Sequence, residues 1–182
     1  KSLVEKMGGT ITFTSEQGTG TTFVITIPFK INENVTRDEE KQEEATASIR
    51  GLNILLVEDN ELNMEIAEFV IQSEGASVVK AWNGQEAVEA FEKSASGEFD
   101  VILMDVMMPV MNGYEATKTI RSIDRSDAKK IPIIAMTANA FVEDRIKSKE
   151  AGMNEHVSKP IDMKLLVKII AELAGKNKNC ED

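Results

Sequence analysis

Residues 53–81, NILLVEDNELNMEIAEFVIQSEGASVVKA, hold one strand–helix–strand unit, and its reading decides the fold. NILLV (53–57) is an unbroken apolar run that stops at two acidic residues, the pattern of a strand covered on both faces. The stretch after it carries Leu62, Ile66, Phe69 and Val70 at helical spacing, which predicts an amphipathic helix with those residues inward. SVVKA (77–81) reads as the next strand. Two strands joined through a helix run parallel. The same alternation continues along the chain. Gln85–Lys93 is helical with Ala87, Val88 and Phe91 inward, VILM (101–104) is a strand ending at Asp105, and Gly113–Ile123 is helical. IPIIAM (131–136) is a strand, Val142–Ala151 a polar helix and HVS (156–158) a short strand. Asp162 then caps a last helix that is predicted to run through Ala174 and stop at Gly175. Alternation of this kind, with right-handed crossovers, predicts an α/β doubly wound five-stranded parallel sheet over residues 51–175.

The rest of the 182 residues is of a different character. Residues 31–50, INENVTRDEEKQEEATASIR, are nearly devoid of apolar side chains and read as an acidic linker, with opposite charges spaced for transient helix around Arg37–Glu44. In residues 1–30, Leu3, Val4 and Met7 share a helical face that Gly8-Gly9 ends. TITFTS (10–15) and TTFVITIPF (21–29) alternate at period two around EQGTG, a hairpin signal. A helix and one hairpin are too little for an independent fold. Residues 176–182 are a short tail.

The chain is 42% hydrophobic and 29% charged, with a formal net charge of −10. Such an acidic chain is unsuited to bulk binding of nucleic acid or of an anionic membrane surface. Its single cysteine, Cys180, allows no disulfide within the chain and fits a reducing, cytoplasmic setting. No apolar run approaches the roughly 20 residues that span a bilayer. The first residue is Lys1 rather than Met, so the chain is expected to be a fragment, and a longer parent could still carry a membrane anchor.

Chemistry in a parallel sheet gathers at the carboxyl ends of its strands. Here those ends carry Glu58-Asp59, Asp105, Thr137 and Lys159-Pro160. Each residue taken alone is ordinary, since a strand-end Asp usually serves as a cap or turn. Together they form a set. Carboxylates crowded at one rim repel one another unless a cation lies among them. Hard oxygen ligands without His or Cys suit Mg²⁺ or Mn²⁺. An acceptor Asp, a metal, a Lys cation and a Thr hydroxyl are the parts needed for phosphoryl transfer to a carboxylate.

LLVEDNELN, ILMDVMMPVMNGYEA, PIIAMTANA and HVSKP resemble, in order and spacing, the successive motifs of two-component response-regulator receiver domains. The resemblance implies a flavodoxin-like sheet of order 2-1-3-4-5, which would bring the four strand ends to one rim. It implies that Asp105 accepts a phosphoryl group, that Asp59, Asp105 and the Met107 carbonyl bind the metal directly, and that Glu58 helps through water. Thr137 would hydrogen-bond the acyl phosphate, Lys159 would pair with it, and Lys159-Pro160 would be cis. Met107 and Asn139 would flank the access of water to the phosphosite. His156 stands where the family more often has an aromatic switch residue, so Thr137 and His156 are the expected switch pair. A half-buried strand histidine without that role is the plainer alternative. A second apolar line on the first receiver helix, Met64, Ala67 and Ile71, is the expected face for a histidine-phosphotransfer protein. Leu165 and Ile169 on the last helix are a candidate contact for a kinase or for a second copy.

KSLVEKMGG and SEQGTGTTFVITIPF resemble the last helix and hairpin of a histidine-kinase ATP-binding domain, with GTGTTF (18–23) like its second glycine-rich box. The parent implied is a hybrid sensor histidine kinase. The other nucleotide-binding residues and a phospho-His helix are missing from this sequence, so no nucleotide is expected here and the phospho-His donor must come from elsewhere. Two rival readings stay open. One is an aspartyl-phosphate phosphohydrolase, against which Met107 stands where those enzymes carry a second Asp. The other is an interaction module that is never phosphorylated.

Overall fold

A computed structural model of the chain describes residues 2–29, 48–138 and 142–178. The chain divides into two units, residues 1–43 and 44–182. The first holds helix α1 (Ser2–Lys6) and strands β1 (Thr10–Glu16) and β2 (Gly20–Thr26), paired antiparallel with Thr10 opposite Thr26. Phe13 and Phe23 face each other across the hairpin at 5.8 Å between ring centroids, yet both remain mostly exposed.

The second unit runs β3 (Asn53–Val57), α2 (Glu61–Ser73), β4 (Ser77–Ala81), α3 (Gly84–Lys93), β5 (Val101–Asp105), α4 (Gly113–Ser122), β6 (Ile133–Thr137), α5 (Val142–Ala151), β7 (Glu155–Ser158) and α6 (Met163–Lys178). Its five strands are all parallel, in the order β4-β3-β5-β6-β7, which is 2-1-3-4-5 counted within the unit. The central strands β5 and β6 are buried at every residue, as their unbroken apolar sequences require. Alternate side chains point to opposite faces. Leu55, Val57, Ile102, Met104, Ile133 and Ala135 meet Ala87, Val88, Phe91, Ala116 and Ile120 of α3 and α4. Ile54, Leu56, Leu103, Ile134 and Met136 meet α2 and α6 on the other face.

Three expectations need correction. The inward face of α2 is Met64, Ala67 and Ile71, at 0%, 3% and 0% exposure, so these residues cannot be a partner face. Leu62, Ile66 and Phe69 point outward instead, and Val70 is only half buried. The two apolar lines lie on opposite sides of the helix, and periodicity cannot choose between them. The choice falls to packing, which sets Met64, Ala67 and Ile71 against Ile54 and Leu56 of β3 and Leu166 and Ile170 of α6, while Asn60 Oδ1 caps the helix by accepting the Asn63 N–H at 3.1 Å. Gly175 does not stop α6, which continues to Lys178. A glycine within a helix lowers its stability without ending it. Finally, Ile49 is fully buried against the α2–α6 face of the sheet, so the second unit begins before residue 51. The proposed helical stretch around Arg37–Glu44 and the tail beyond Lys178 lie outside the described residues.

Candidate phosphoacceptor site

The parallel register delivers the strand ends to one rim. Asp105 pairs with Met136, and Thr137 with Ser158, so the last residues of β5, β6 and β7 stand side by side. β3 lies on the other flank of β5, and the chain leaves it through Glu58 and Asp59. Single carboxylate oxygens of Glu58, Asp59 and Asp105 all lie within 4.8 Å of one another. Glu58 and Asp105 are buried, at 2% and 4% exposure, while Asp59 is exposed.

Lys159 reaches into this cluster. Its Nζ donates to Glu58 Oε2 at 2.6 Å and to Asp105 Oδ2 at 2.7 Å. Its own backbone N–H donates to the Thr137 carbonyl at 2.7 Å, and the Lys159-Pro160 bond that follows is cis, as the resemblance implied. Thr137 is itself buried at the carboxyl end of β6.

Burial pushes the Asp105 carboxyl above the usual carboxylate range. The Lys159 ammonium and the Met107 N–H pull the other way, the Glu58 charge adds to the rise, and the net direction is upward. Burial also works against charge on Lys159, but its hydrogen bonds to Asp105 and Glu58 and their charges hold the ammonium above its ordinary value.

The loop from Val106 to Asn112 hangs from this site and is pinned at both ends. Met107 N–H donates to Asp105 Oδ1 at 3.2 Å, and Gly113 N–H donates to the Val106 carbonyl at 3.0 Å. Asn112 caps α4 through a capping box with Glu115. A Cβ on Gly113 would fall 2.2 Å from the Asp105 carbonyl oxygen, so only glycine lets α4 start this close to β5. Gly84, at the start of α3, donates its N–H to the Met111 carbonyl at 3.0 Å and holds the loop from the other side.

The donor set suits a hard divalent cation. It is all oxygen, and three carboxylates against one ammonium leave an excess of negative charge in a largely buried place. Sequence reasoning missed Asn63. Its Nδ2 donates to Glu58 Oε1 at 3.0 Å, and the Asn60 N–H approaches the same oxygen at 3.4 Å. The signal was in DNELN, where an amide one turn past a cap faces back toward the preceding strand end. His156 is largely buried on β7, with Nδ1 3.1 Å from Glu155 Oε1. Met107 is 74% exposed. Asn139, expected beside the phosphosite, lies outside the described residues.

A doubly wound sheet with an acidic cluster, a lysine and a threonine at the carboxyl rim defines the receiver class of signalling modules. The response regulator receiver domain family matches residues 54–171, and the chain belongs to that family.

Among full-length relatives, it is 37% identical to the aerobic respiration control sensor protein ArcB of Escherichia coli over 172 residues, 93% of this chain and 21% of ArcB. It is 33% identical to the sensor protein EvgS of Escherichia coli over 95% of this chain and 14% of EvgS. The chain thus spans about a fifth or less of the length of these relatives. Among solved structures, the receiver domain of the sensor histidine kinase PA1611 of Pseudomonas aeruginosa superposes with a TM-score of 0.62 at 39% identity, covering 69% of this chain and 98% of that one. That structure carries a magnesium ion in its active-site cleft. The receiver domain of Ssk1 from Saccharomyces cerevisiae, solved in complex with the histidine phosphotransfer protein Ypd1, gives a TM-score of 0.63 at 32% identity, covering 69% of this chain and 90% of that one. Among the described residues, no helix is long and apolar enough to cross a membrane.

Proposed function

We propose that Asp105 is the phosphoacceptor of a two-component phosphorelay. The observation that carries this reading is the contact of Lys159 Nζ with both Asp105 and Glu58, beside Asp59, at the carboxyl end of the sheet. An Asp105 carboxylate oxygen attacks the phosphorus of a phospho-imidazole. The P–N bond breaks, its electron pair leaves with the imidazole nitrogen, and an acyl phosphate forms on Asp105. Glu58, Asp59, Asp105 and the Met107 carbonyl are the groups that would hold Mg²⁺. A bound Mg²⁺ supplies positive charge to the phosphoryl oxygens. Lys159 supplies a second positive charge, and Thr137 a hydroxyl donor. The new phosphoryl group brings roughly −1.5 to −2 charge to the rim. That change is what Thr137 and His156 would transmit to the loops after β5 and β6.

The partners follow from the same chemistry: a phospho-His domain of a sensor kinase as donor and a histidine-phosphotransfer protein as acceptor. The structure of the Ssk1 receiver with Ypd1 supports the second. The surface suited to such a helical partner is the outward side of α2, Leu62, Ile66 and Phe69. Ile66 also lines a cleft of about 230 Å³ that reaches Lys159, Pro160 and Met163. Leu165, half exposed on α6, would serve a kinase contact or a second copy. Residues 1–30 are read as the end of a kinase ATP-binding domain, a reading supported by the near-complete span of the ArcB and EvgS matches. No nucleotide is assigned to them, and the module is placed in the cytoplasm.

The test is labelling by a small-molecule phosphodonor with Mg²⁺. Wild type should take up one acid-labile phosphoryl group and Asp105→Asn none. Equal labelling of both would sink the reading.

A further inference from the structure

We propose that Asn63 is a positioning residue that sets which divalent cation the rim accepts. By tethering the Glu58 carboxylate, it keeps the site selective for Mg²⁺ over Ca²⁺. The inference rests on reading Glu58, Asp59 and Asp105 as a cation site, and it adds to that reading a residue that acts through Glu58.

Glu58 is at 2% exposure, and both of its carboxylate oxygens are engaged. Oε2 accepts from Lys159 Nζ at 2.6 Å. Oε1 accepts from Asn63 Nδ2 at 3.0 Å, with the Asn60 N–H at 3.4 Å. The two grips differ in kind. The ammonium is charged, so it is repelled by a cation that enters among the carboxylates. The Asn63 amide is neutral and keeps its hold.

That amide is also fixed at its base. Asn63 is the third residue of α2, and its backbone N–H donates to Asn60 Oδ1 at 3.1 Å. A Glu or Gln at this position commonly turns back to the N-cap N–H. Here the shorter amide side chain turns to Glu58 instead, and Glu58 Oε1 takes the N-cap N–H. Cap, amide and carboxylate are thus one connected unit.

A carboxylate tethered by one oxygen cannot turn both oxygens to a metal. Ca²⁺ draws about six to eight oxygens and often takes carboxylates bidentate, whereas Mg²⁺ makes do with one or two carboxylates and keeps its waters. A tethered Glu58 therefore leaves the rim poor in protein oxygens for Ca²⁺ and sufficient for Mg²⁺. Freed at Oε1, Glu58 can swing and chelate, and Ca²⁺ gains the more.

The experiment titrates the full chain calorimetrically with MgCl₂ and with CaCl₂, as wild type, Asn63→Ala and Asn63→Gln. Asn63→Ala deletes the amide but keeps the backbone N–H that the cap uses, at an exposed position, so α2 should persist. The ratio of the Ca²⁺ to the Mg²⁺ dissociation constant should exceed one in wild type. It should fall severalfold in Asn63→Ala, chiefly through tighter Ca²⁺ binding, and recover in part in Asn63→Gln, whose amide can reach Glu58 again. A residue that only supported the fold would weaken both cations alike. A parallel change in both constants, an unchanged ratio, a wild type without preference, or Asn63→Gln behaving as Asn63→Ala would each overturn the inference. A wild type that binds neither cation sinks the cation-site reading as well, whereas a ratio indifferent to Asn63 leaves that reading standing.

Discussion

Lys159 Nζ lies 2.7 Å from Asp105 Oδ2, although 54 residues separate them, and the same nitrogen lies 2.6 Å from Glu58 Oε2. One ammonium therefore holds two carboxylates that are otherwise buried. Removing a partner from such a pair leaves charge without compensation. Lys159→Ala is expected to lower unfolding free energy without Mg²⁺ by about 3 kcal/mol. Added Mg²⁺ should restore part of that loss, since a cation at the same carboxylates replaces the missing charge. Denaturant melts of both chains with and without Mg²⁺ measure it.

Asp105→Asn should do the reverse. It removes one of three crowded carboxylates and keeps the shape, so the metal-free protein at neutral pH should gain about 1 kcal/mol while losing its phosphoacceptor. The pH dependence has a fixed sign. The Asp105 carboxyl is raised in the folded state, chiefly by burial. Between its ordinary value and that raised value, the folded chain binds more protons than the unfolded one, and stability falls as pH rises. Asp105→Asn should flatten that fall above the ordinary carboxylate range in the metal-free protein. An unchanged slope would refute it.

A second carboxylate carries the opposite sign. Asp127 Oδ1 accepts from Arg125 Nε at 2.7 Å, and its Oδ2 accepts the Gly97 N–H at 2.8 Å. Arg125 also donates to the Phe91 and Ser94 carbonyls and lies 4.0 Å over the Phe91 ring. Burial alone would raise the Asp127 carboxyl, but the hydrogen bonds from Gly97 and Arg125 and the Arg125 charge bring it below its ordinary value. Its contribution is present above the ordinary carboxylate range and lost as pH falls through the lowered folded value. Asp127→Asn should cost no more than about 1 kcal/mol at neutral pH and nothing in acid, as read from melts at both.

The two faces of α2 separate stability from recognition. Met64→Ala and Ile71→Ala empty core positions and should each cost about 2–4 kcal/mol. Phe69→Ser and Ile66→Ser change exposed residues and should leave the melting temperature nearly unchanged while slowing transfer to a phosphotransfer partner. Melts beside phosphotransfer rates distinguish them.

Two glycines should respond oppositely to alanine. Gly113→Ala drives a Cβ into the Asp105 carbonyl oxygen and should destabilise the fold and weaken Mg²⁺ binding together. Gly175 lies within α6, and an added Cβ there would meet nothing within 4 Å, so Gly175→Ala should raise unfolding free energy by about 0.5–1 kcal/mol. Chemical denaturation of both variants checks the contrast.

The sheet and its rim were legible in the sequence because each depends on local pattern. Apolar runs of four or five residues bounded by polar ones specify buried strands, and Glu58-Asp59, Asp105, Thr137 and Lys159 follow those runs directly. That these ends are neighbours follows from the strand order β4-β3-β5-β6-β7, which the family resemblance implied and local pattern alone does not specify. Other features depended on contacts between distant residues. Nothing in residues 61–73 says which of two opposed apolar lines meets the sheet, and only packing against β3 and α6 selects Met64, Ala67 and Ile71. Ile49 looked like the end of a linker until the core enclosed it. The bridge from Lys159 to Glu58 spans 101 residues of sequence, and the Asn63 amide on Glu58 needs the rotation of α2 to be set first. Periodicity determines which elements form and where their ends lie. Which face turns inward, and which distant charges meet, is decided when the elements pack.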